Sequence, residues 1–169
     1  MLGIIVRPES PADASAIEAV TVAAFRDAPH AAHTEQFIVA ALRRAGQLTV
    51  SLVAELSGEI VGHVAVSPVV LSDGSAGWFG LGPISVLPEH QGRGIGSRLM
   101  REVLQRLRDS GAHGCVLVGD PGFYQRFKFR SHTALAYSDV PADVFLVLPF
   151  GEAVPQATVT FHPAFGAKD

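Results

Sequence analysis

The stretch Leu81–Asp109, LGPISVLPEHQGRGIGSRLMREVLQRLRD, decides the fold because it joins a strand to a long helix through a glycine-rich loop. Its first part is rich in β-forming residues, and Pro88, which cannot donate to a sheet ladder, predicts the end of a strand. After Gly96 the apolar residues recur at helical spacing and form one stripe: Leu99, Met100, Val103, Leu104 and Leu107. Polar residues take the opposite face, and Gly111 is expected to end the helix.

The loop between this strand and this helix is suited to hold a phosphate. It reads Gln91-Gly92-Arg93-Gly94-Ile95-Gly96. The first turn of a helix has N–H groups without partners in the helix, and these groups carry a partial positive charge. Glycines at this point let a phosphate approach the main chain and permit the turns of an anion-binding nest. The sequence therefore predicts a phosphate-binding loop made of main chain.

Two well-known phosphate-binding signatures do not fit this loop. A P-loop, G-x-x-x-x-G-K-[ST], needs a lysine, whereas the lysines of this chain are Lys128 and Lys168. The dinucleotide fingerprint G-x-G-x-x-G fails at its third glycine, and no acidic residue ends a second strand about 20 residues further on. A nucleotide-binding protein of another kind is therefore weakly supported.

Length and composition limit the class of protein. The 169 residues suit a single domain, which we expect to span residues 1–169 and to be large enough for a proper core. No run approaches ~18 uninterrupted apolar residues, and Met1–Val6 is too short for a signal peptide, so we expect a cytoplasmic protein without a membrane span. The net charge of −3 argues against nucleic-acid binding. Cys115 is the sole cysteine, which excludes an internal disulfide, and no metal site is expected.

The remaining segments predict an α/β (α+β) fold around a mixed sheet. A first strand at residues 4–6 is followed by helices that begin near Ser10 and Thr34. An antiparallel meander is predicted over residues 48–56, 60–71 and 81–87.

The second half of the chain should add the parallel part of the sheet. Residues 115–118 follow a crossover helix and should pair parallel with the 81–87 strand. A short helix is expected over residues 122–127, and the runs 144–148 and 158–161 should finish a sheet of about seven strands with about four helices.

The loop resembles the Q/R-x-x-G-x-G/A signature of the GNAT superfamily of acyl-CoA-dependent N-acyltransferases, with Gln91, Gly94 and Gly96 at its fixed positions. The order of predicted elements is also similar to that family. The resemblance implies a GNAT-like fold with an antiparallel N-terminal meander and a parallel pair at a splayed centre.

Two further segments extend the resemblance over nearly the whole chain. Gly119–Phe129, GDPGFYQRFKF, looks like the G-D-P-x-Y-Y-x-R-F-G-F segment of a bacterial branch of N-acetyltransferases, and Thr158–Phe165 is similar to the ending of that branch. The chain departs from the branch at Phe123, where tyrosine is common, and at Lys128, where glycine is common. If Lys128 must adopt a positive φ, it costs roughly 1 kcal/mol.

The resemblance implies acetyl-CoA as cosubstrate, with the pyrophosphate on the loop amides. It also implies that the pantetheine arm enters a gap beside the 81–87 strand and bonds to the backbone there, with Gly82-Pro83 suited to a bulge. The cosubstrate-binding residues so implied are Ile84, Ser85, Val86, Gln91, Gly92, Arg93, Gly94, Ile95, Gly96 and Ser97. Arg98 also flanks the loop, where a phosphate contact and a solvated helix face are equal explanations.

The resemblance places a catalytic role on Tyr124, as the general acid that protonates the departing thiolate. The sequence names no general base for the amine, and several residues stay open: His63, Glu55, His30, His33, Asp120 and His132. Cys115 in an apolar strand is expected to behave as a small hydrophobe rather than as a nucleophile.

The predicted function is therefore an acetyl-CoA-dependent N-acetyltransferase that acts on a primary amine by direct attack in a ternary complex. The acceptor cannot be identified from the sequence, and a homodimer is possible for this family. The alternative is a non-catalytic acyl-CoA-binding sensor or interaction module of the same fold.

Overall fold

The computed structural model describes residues 3–29, 31–151 and 153–169. Its helices are α1 (Ala14–Phe25), α2 (Glu35–Arg44), α3 (Ile95–Asp109) and α4 (Pro121–Tyr124). Its strands are β1 (Ile4–Pro8), β2 (Val50–Leu56), β3 (Glu59–Pro68), β4 (Val70–Leu71), β5 (Trp78–Val86), β6 (Gly114–Val118), β7 (Leu135–Ala136), β8 (Phe145–Pro149) and β9 (Ala157–Thr160).

Within the described residues the main sheet has six strands in the order β1-β2-β3-β5-β6-β8. The pair β5–β6 is parallel, and every other neighbouring pair is antiparallel. The predicted antiparallel meander and the parallel pair after the crossover helix are thereby confirmed.

The parallel pair β5–β6 opens after a few residues. The register runs from Trp78 opposite Gly114 to Gly80 opposite Val116, and no later residue of β5 pairs with β6 in the described sheet. On the other edge, the pairing of β5 with β3 shifts between Leu81 and Ile84, so that one extra residue of β5 bulges at Gly82-Pro83. The backbone of β5 from Leu81 onward therefore faces a gap, as the resemblance implied.

The last strand does not join the main sheet, so that expectation is wrong. β9 instead pairs antiparallel with β4 and parallel with β7, in a second sheet of three short strands within the described ranges. Its buried side chain, Val159, packs with Leu71 and Trp78 in a cluster that also includes residues of β6 and β8 from the main sheet. The run 60–71 is also divided at Pro68, since proline cannot extend a ladder on both edges.

Helices cover both faces of the main sheet. The predicted stripe of α3 is fully buried against one face, where Leu52 and Ala54 of β2 point. The residue between them, Val53, packs on the other face with Ile17 of α1 and Val39 of α2. The helical periodicity was therefore sufficient to predict α3, although the helix begins at Ile95, before Gly96.

The starts of the N-terminal helices follow the predicted signals. Ser10 N–H donates to the Asp13 carboxylate at 2.7 Å, and a 3-10 turn at residues 11–13 leads into α1. Helix α2 begins directly after Thr34. Both helices lie on the face of the sheet opposite α3, as the packing of Ile17 and Val39 on Val53 shows.

Candidate active site

A groove of about 470 Å³ lies where β5, the glycine-rich loop and the start of α3 meet. Its lining includes every implied cosubstrate-binding residue except Arg93, whose side chain is exposed outside it. The lining residues are Ile84, Ser85, Val86, His90, Gln91, Gly92, Gly94, Ile95, Gly96, Ser97, Phe123 and Arg126. A phosphate contact by Arg93 therefore stays a prediction.

The loop has the main-chain geometry of an anion cradle. Gly92 and Gly94 have φ of +77° and +84°, in the left-handed region that favours glycine. Gly94 is the N-cap of α3, and the first helical bond runs from Arg98 N–H to Gly94 C=O at 3.0 Å. The N–H groups before Arg98 have no partner within the helix and are free to bind an anion. Gln91 shapes this loop, because its Nε2 donates to Val86 C=O at 2.9 Å.

The basic residues around the groove differ from those singled out in the sequence. Arg98 neither faces a phosphate site nor is merely solvated, because its Nη1 donates to Ile4 C=O at 2.7 Å and ties α3 to β1. Arg126 lines the groove instead, with its guanidinium 4.8 Å from the centre of the Phe123 ring. Sequence reasoning gave Arg126 and Phe123 no role, although both lie in the GDPGFYQRFKF segment.

A second cavity, of about 270 Å³, lies on the other side of α4 and shares Ile84 with the groove. We call it the acceptor cavity. It is lined by Phe25, Glu35, Ile38, Leu81, Gly82, Pro83, Ile84, Val118, Tyr124, Tyr137, Phe161 and Phe165. The bulged segment of β5 forms its floor, so a molecule in this cavity and one in the groove would meet at the same stretch of backbone.

Helix α4 directs its two aromatic residues to different cavities, with Phe123 at the groove and Tyr124 at the acceptor cavity. The Asp120 side chain caps α4 by accepting from Gly122 N–H at 3.0 Å. Gly119 leaves space for the Tyr124 ring, since a Cβ at this position would overlap it. These contacts explain the local G-D-P-x-x-Y pattern.

Burial and, to a smaller extent, the Asp120 carboxylate raise the pKa of Tyr124 to about 12. Its hydroxyl is therefore protonated throughout the neutral range and can donate a hydrogen bond.

Of the residues left open as general bases, those that the structure describes are engaged elsewhere or do not line the acceptor cavity. His63 is fully buried, with Nε2 2.7 Å from Ser51 Oγ, and burial lowers its pKa. Glu55 is paired with Arg7 at 2.9 Å, and Asp120 caps α4. His33 and His132 are not among the residues that line the cavity. His30 lies outside the described residues.

Cys115 is fully buried in β6, and burial raises the pKa of its thiol far above its usual range. A thiol in this state is a poor nucleophile.

Within the described ranges no three side chains come together as a metal-ligand group, and none of the helices is long and apolar enough to cross a bilayer.

Three comparisons place this geometry among known proteins. The sequence model of the acetyltransferase (GNAT) family matches residues 15–129. An uncharacterized N-acetyltransferase of Escherichia coli K12, YhbS, is 35% identical over 128 residues, which cover 75% of this chain and 74% of YhbS.

Two solved structures share the fold over almost their full length. A GNAT family acetyltransferase from Brucella melitensis, in complex with acetyl-CoA, is 48% identical with a TM-score of 0.86 and covers 96% of this chain and 97% of its own. Escherichia coli YhbS, in complex with CoA, is 30% identical with a TM-score of 0.87 and covers 98% of this chain and 93% of its own. The family match and these two neighbours show that the chain belongs to the GNAT acetyltransferase family.

Proposed function

We propose that the protein is an acetyl-CoA-dependent N-acetyltransferase that acetylates a primary amine by direct attack in a ternary complex. The observation that carries the proposal is the pair of cavities that meet at Ile84, one beginning at a main-chain anion cradle and the other reaching Tyr124. The relatives bound to acetyl-CoA and to CoA support the identity of the first ligand.

The groove fits the cosubstrate in its shape and in its hydrogen-bonding groups. The free N–H groups at the start of α3 would hold the pyrophosphate, and Arg126 is placed to add charge. A Cβ at Gly92 or Gly94 would meet no protein atom, so the glycines leave this space for a ligand. The unpaired edge of β5 beyond Gly80 would take the pantetheine arm as an added strand.

The transfer itself requires an attack at the bulge of β5. The amine nitrogen would attack the thioester carbonyl carbon, while a main-chain N–H of β5 polarises the carbonyl oxygen. The C–S bond then breaks with its electron pair on sulfur, and the nitrogen loses its proton to water. No dedicated base is invoked, since none of the described candidates lines the acceptor cavity.

Tyr124 is proposed as the group that donates a proton to the departing sulfur. Its pKa of about 12 keeps the phenol protonated at neutral pH. A free thiol has a pKa of ~8.5, and burial of the departing thiolate in the same site raises its pKa. The pKa of the CoA thiol therefore comes closer to that of Tyr124, which makes the proton transfer to sulfur easier. A general acid of this kind contributes typically about 10²–10⁴-fold to rate.

Release of free CoA from acetyl-CoA, measured across a panel of primary amines, tests the proposal. Tyr124→Phe should lower kcat on the order of a hundredfold and leave the Kd for acetyl-CoA nearly unchanged, because the ring and its packing are retained. The matched control is Tyr137→Phe, which removes the other hydroxyl that lines the acceptor cavity. Equal kcat for wild type and Tyr124→Phe would remove Tyr124 from the mechanism.

The same assay distinguishes the alternative, a non-catalytic acyl-CoA-binding module. The absence of an assigned base is what favours that alternative. Tight binding of acetyl-CoA without CoA release for any amine of the panel would support it and contradict the transferase.

A further inference from the structure

The acceptor cavity is lined by a residue with a carboxylate oxygen that no group in the described structure satisfies. Glu35, the first residue of α2, lines the cavity. Its Oε2 accepts from Ala32 N–H at 2.9 Å. Its Oε1 is buried and has no hydrogen-bond partner among the described residues. A buried carboxylate oxygen is costly until a donor reaches it, and a ligand in the cavity that Glu35 lines can supply that donor.

The position of Glu35 at a helix start explains only half of this arrangement. An acidic residue in the first turn is stabilised by the helix dipole, and the contact with Ala32 fixes the preceding loop. Neither effect requires Oε1 to lie buried without a partner, because a solvated carboxylate at a helix start is stabilised by the dipole as well. The burial of Oε1 needs a separate cause.

The rest of the cavity is suited to a cation on an apolar body. Glu35 is the charged residue among its described lining residues, and five aromatic side chains share the wall: Phe25, Tyr124, Tyr137, Phe161 and Phe165. Aromatic faces attract cations, most strongly when water is excluded. An apolar surrounding also strengthens the attraction between a carboxylate and an ammonium group.

We propose that Glu35 Oε1 binds the ammonium group of the acceptor, and that the acceptor is a cationic primary amine on an aromatic or aliphatic body. This inference rests on the proposed function, since it concerns the amine that receives the acetyl group. A carboxylate next to the amine would be repelled by Glu35, so free α-amino acids are poor ligands. Glu35 is a recognition residue here, and the proton that the amine loses before attack goes to water.

Binding of 2-phenylethylamine in the presence of CoA, measured by calorimetry, tests the inference without acetyl transfer. Glu35→Gln should weaken this binding roughly tenfold or more, because it removes the charge from a buried ion pair. The glutamine carbonyl can still accept from Ala32 N–H, so the start of α2 is preserved. The neutral analogue 2-phenylethanol should bind wild type and Glu35→Gln equally.

Phenylalanine provides a readout that a purely structural role would not change. It should bind wild type more weakly than 2-phenylethylamine does, and this difference should shrink in Glu35→Gln. The matched control is Glu18→Gln, which removes an exposed carboxylate of α1 that does not line the cavity. This control should behave as wild type with all three ligands.

Equal affinity of wild type and Glu35→Gln for 2-phenylethylamine, or no binding of this amine to wild type, overturns the inference. If amines release CoA and Glu35→Gln leaves their KM unchanged, Glu35 has no recognition role while the transferase stands. If binding of the amine depends on Glu35 but no amine releases CoA, the recognition role stands and the transferase proposal fails.

Discussion

Lys128 adopts a backbone conformation that ordinarily belongs to glycine, with φ +77° and ψ +9°. The sequence predicted this conformation only through the segment that residues 119–129 resemble, in which glycine is common at this position, and the structure confirms the positive φ. A residue with a Cβ pays about 1–2 kcal/mol in this region. Glycine avoids that cost, although it loses part of the gain because its unfolded chain is more flexible.

Lys128→Gly should therefore raise the free energy of unfolding by up to about 1 kcal/mol, which corresponds to a rise in Tm of about 2–4 °C for a chain of this size. Thermal unfolding followed by circular dichroism measures the change. Lys128→Ala is the control, because it removes the same exposed side chain and keeps the strained φ. A lower Tm for Lys128→Gly would show that contacts of the lysine outweigh the strain.

For single residues, the sequence predicted features that depend on one contiguous loop and missed contacts between segments that are distant in sequence. The positive φ of Gly92 and Gly94 and their place at the groove were predictable because both residues belong to one contiguous loop. Glu35 was not singled out, because its proposed role arises where segments around Phe25, Tyr137 and Phe161 meet, and no spacing along the chain indicates that meeting. Arg98 was misplaced for the same reason, as its partner Ile4 is distant in sequence.

The two ends of helix α3 offer a matched test of the cradle. Gly94 at its start and Gly111 beyond its end have φ of +84° and +85°, and a Cβ at either position meets no protein atom. Alanine at each should cost about 1 kcal/mol of stability through the same backbone strain. Only Gly94→Ala places a methyl group at the groove and disturbs the N–H groups that would hold a pyrophosphate.

Gly94→Ala should therefore weaken CoA binding about tenfold or more, whereas Gly111→Ala should leave it unchanged. Titration calorimetry gives both values of Kd, and thermal unfolding gives both losses of stability. Equal CoA affinity in the two variants would contradict the assignment of the cradle.

Among the elements, α3 was predictable and β9 was not, for a physical reason. The stripe of α3 repeats from Leu99 to Leu107 in a helix of 15 residues, and only one face of a helix can bury it. β9 is four residues long with one buried side chain, so its pattern fits any sheet edge. Its partner was decided by the division of the 60–71 run at Pro68, which turned β4 toward it.

One polar network connects elements from across the N-terminal half of the molecule. Glu9, just after β1, accepts from Arg43 of α2 at 2.8 and 3.0 Å and from Ser51 of β2. Ser51 Oγ lies 2.7 Å from Nε2 of His63 in β3. Burial raises the pKa of Glu9, but the imidazole of His63 at 3.7 Å and the hydrogen bonds from Arg43 and Ser51 outweigh this effect, so its pKa is lowered and the carboxylate stays ionised. His63 Nδ1 has no partner in the described structure, which is consistent with a neutral ring that carries its proton on Nε2.

This network predicts a pH dependence of the stability of the whole molecule. Burial lowers the pKa of His63 from its ordinary 6.5 and outweighs the opposing effect of Glu9. Below pH 6.5 the unfolded chain therefore binds a proton at His63 that the folded chain does not bind. The free energy of unfolding should be level above pH 6.5 and should fall below it by up to about 1.4 kcal/mol per pH unit.

Urea unfolding between pH 7.5 and pH 5 measures this slope. His63→Gln should be less stable at every pH, yet its curve should be flatter in this window, because the titrating group has been removed. Glu9 adds little slope over most of this window, since its carboxylate has an ordinary pKa of 4.5 and a lower one when folded; its contribution has the same sign as that of His63 and appears only toward pH 5. The same slope in wild type and His63→Gln would contradict the role of His63.

The gap between β5 and β6 is also a seam in the middle of the main sheet. The strands on the two sides of the gap are joined by the pairing of β5 with β6 from Trp78 to Gly80, and beyond Gly80 the two strands separate. A pantetheine arm lying in this gap would hydrogen-bond to the strand backbone and so link the two parts of the sheet. Binding in the groove would then also strengthen the sheet, and this reinforcement would last through acetyl transfer until the CoA product dissociates.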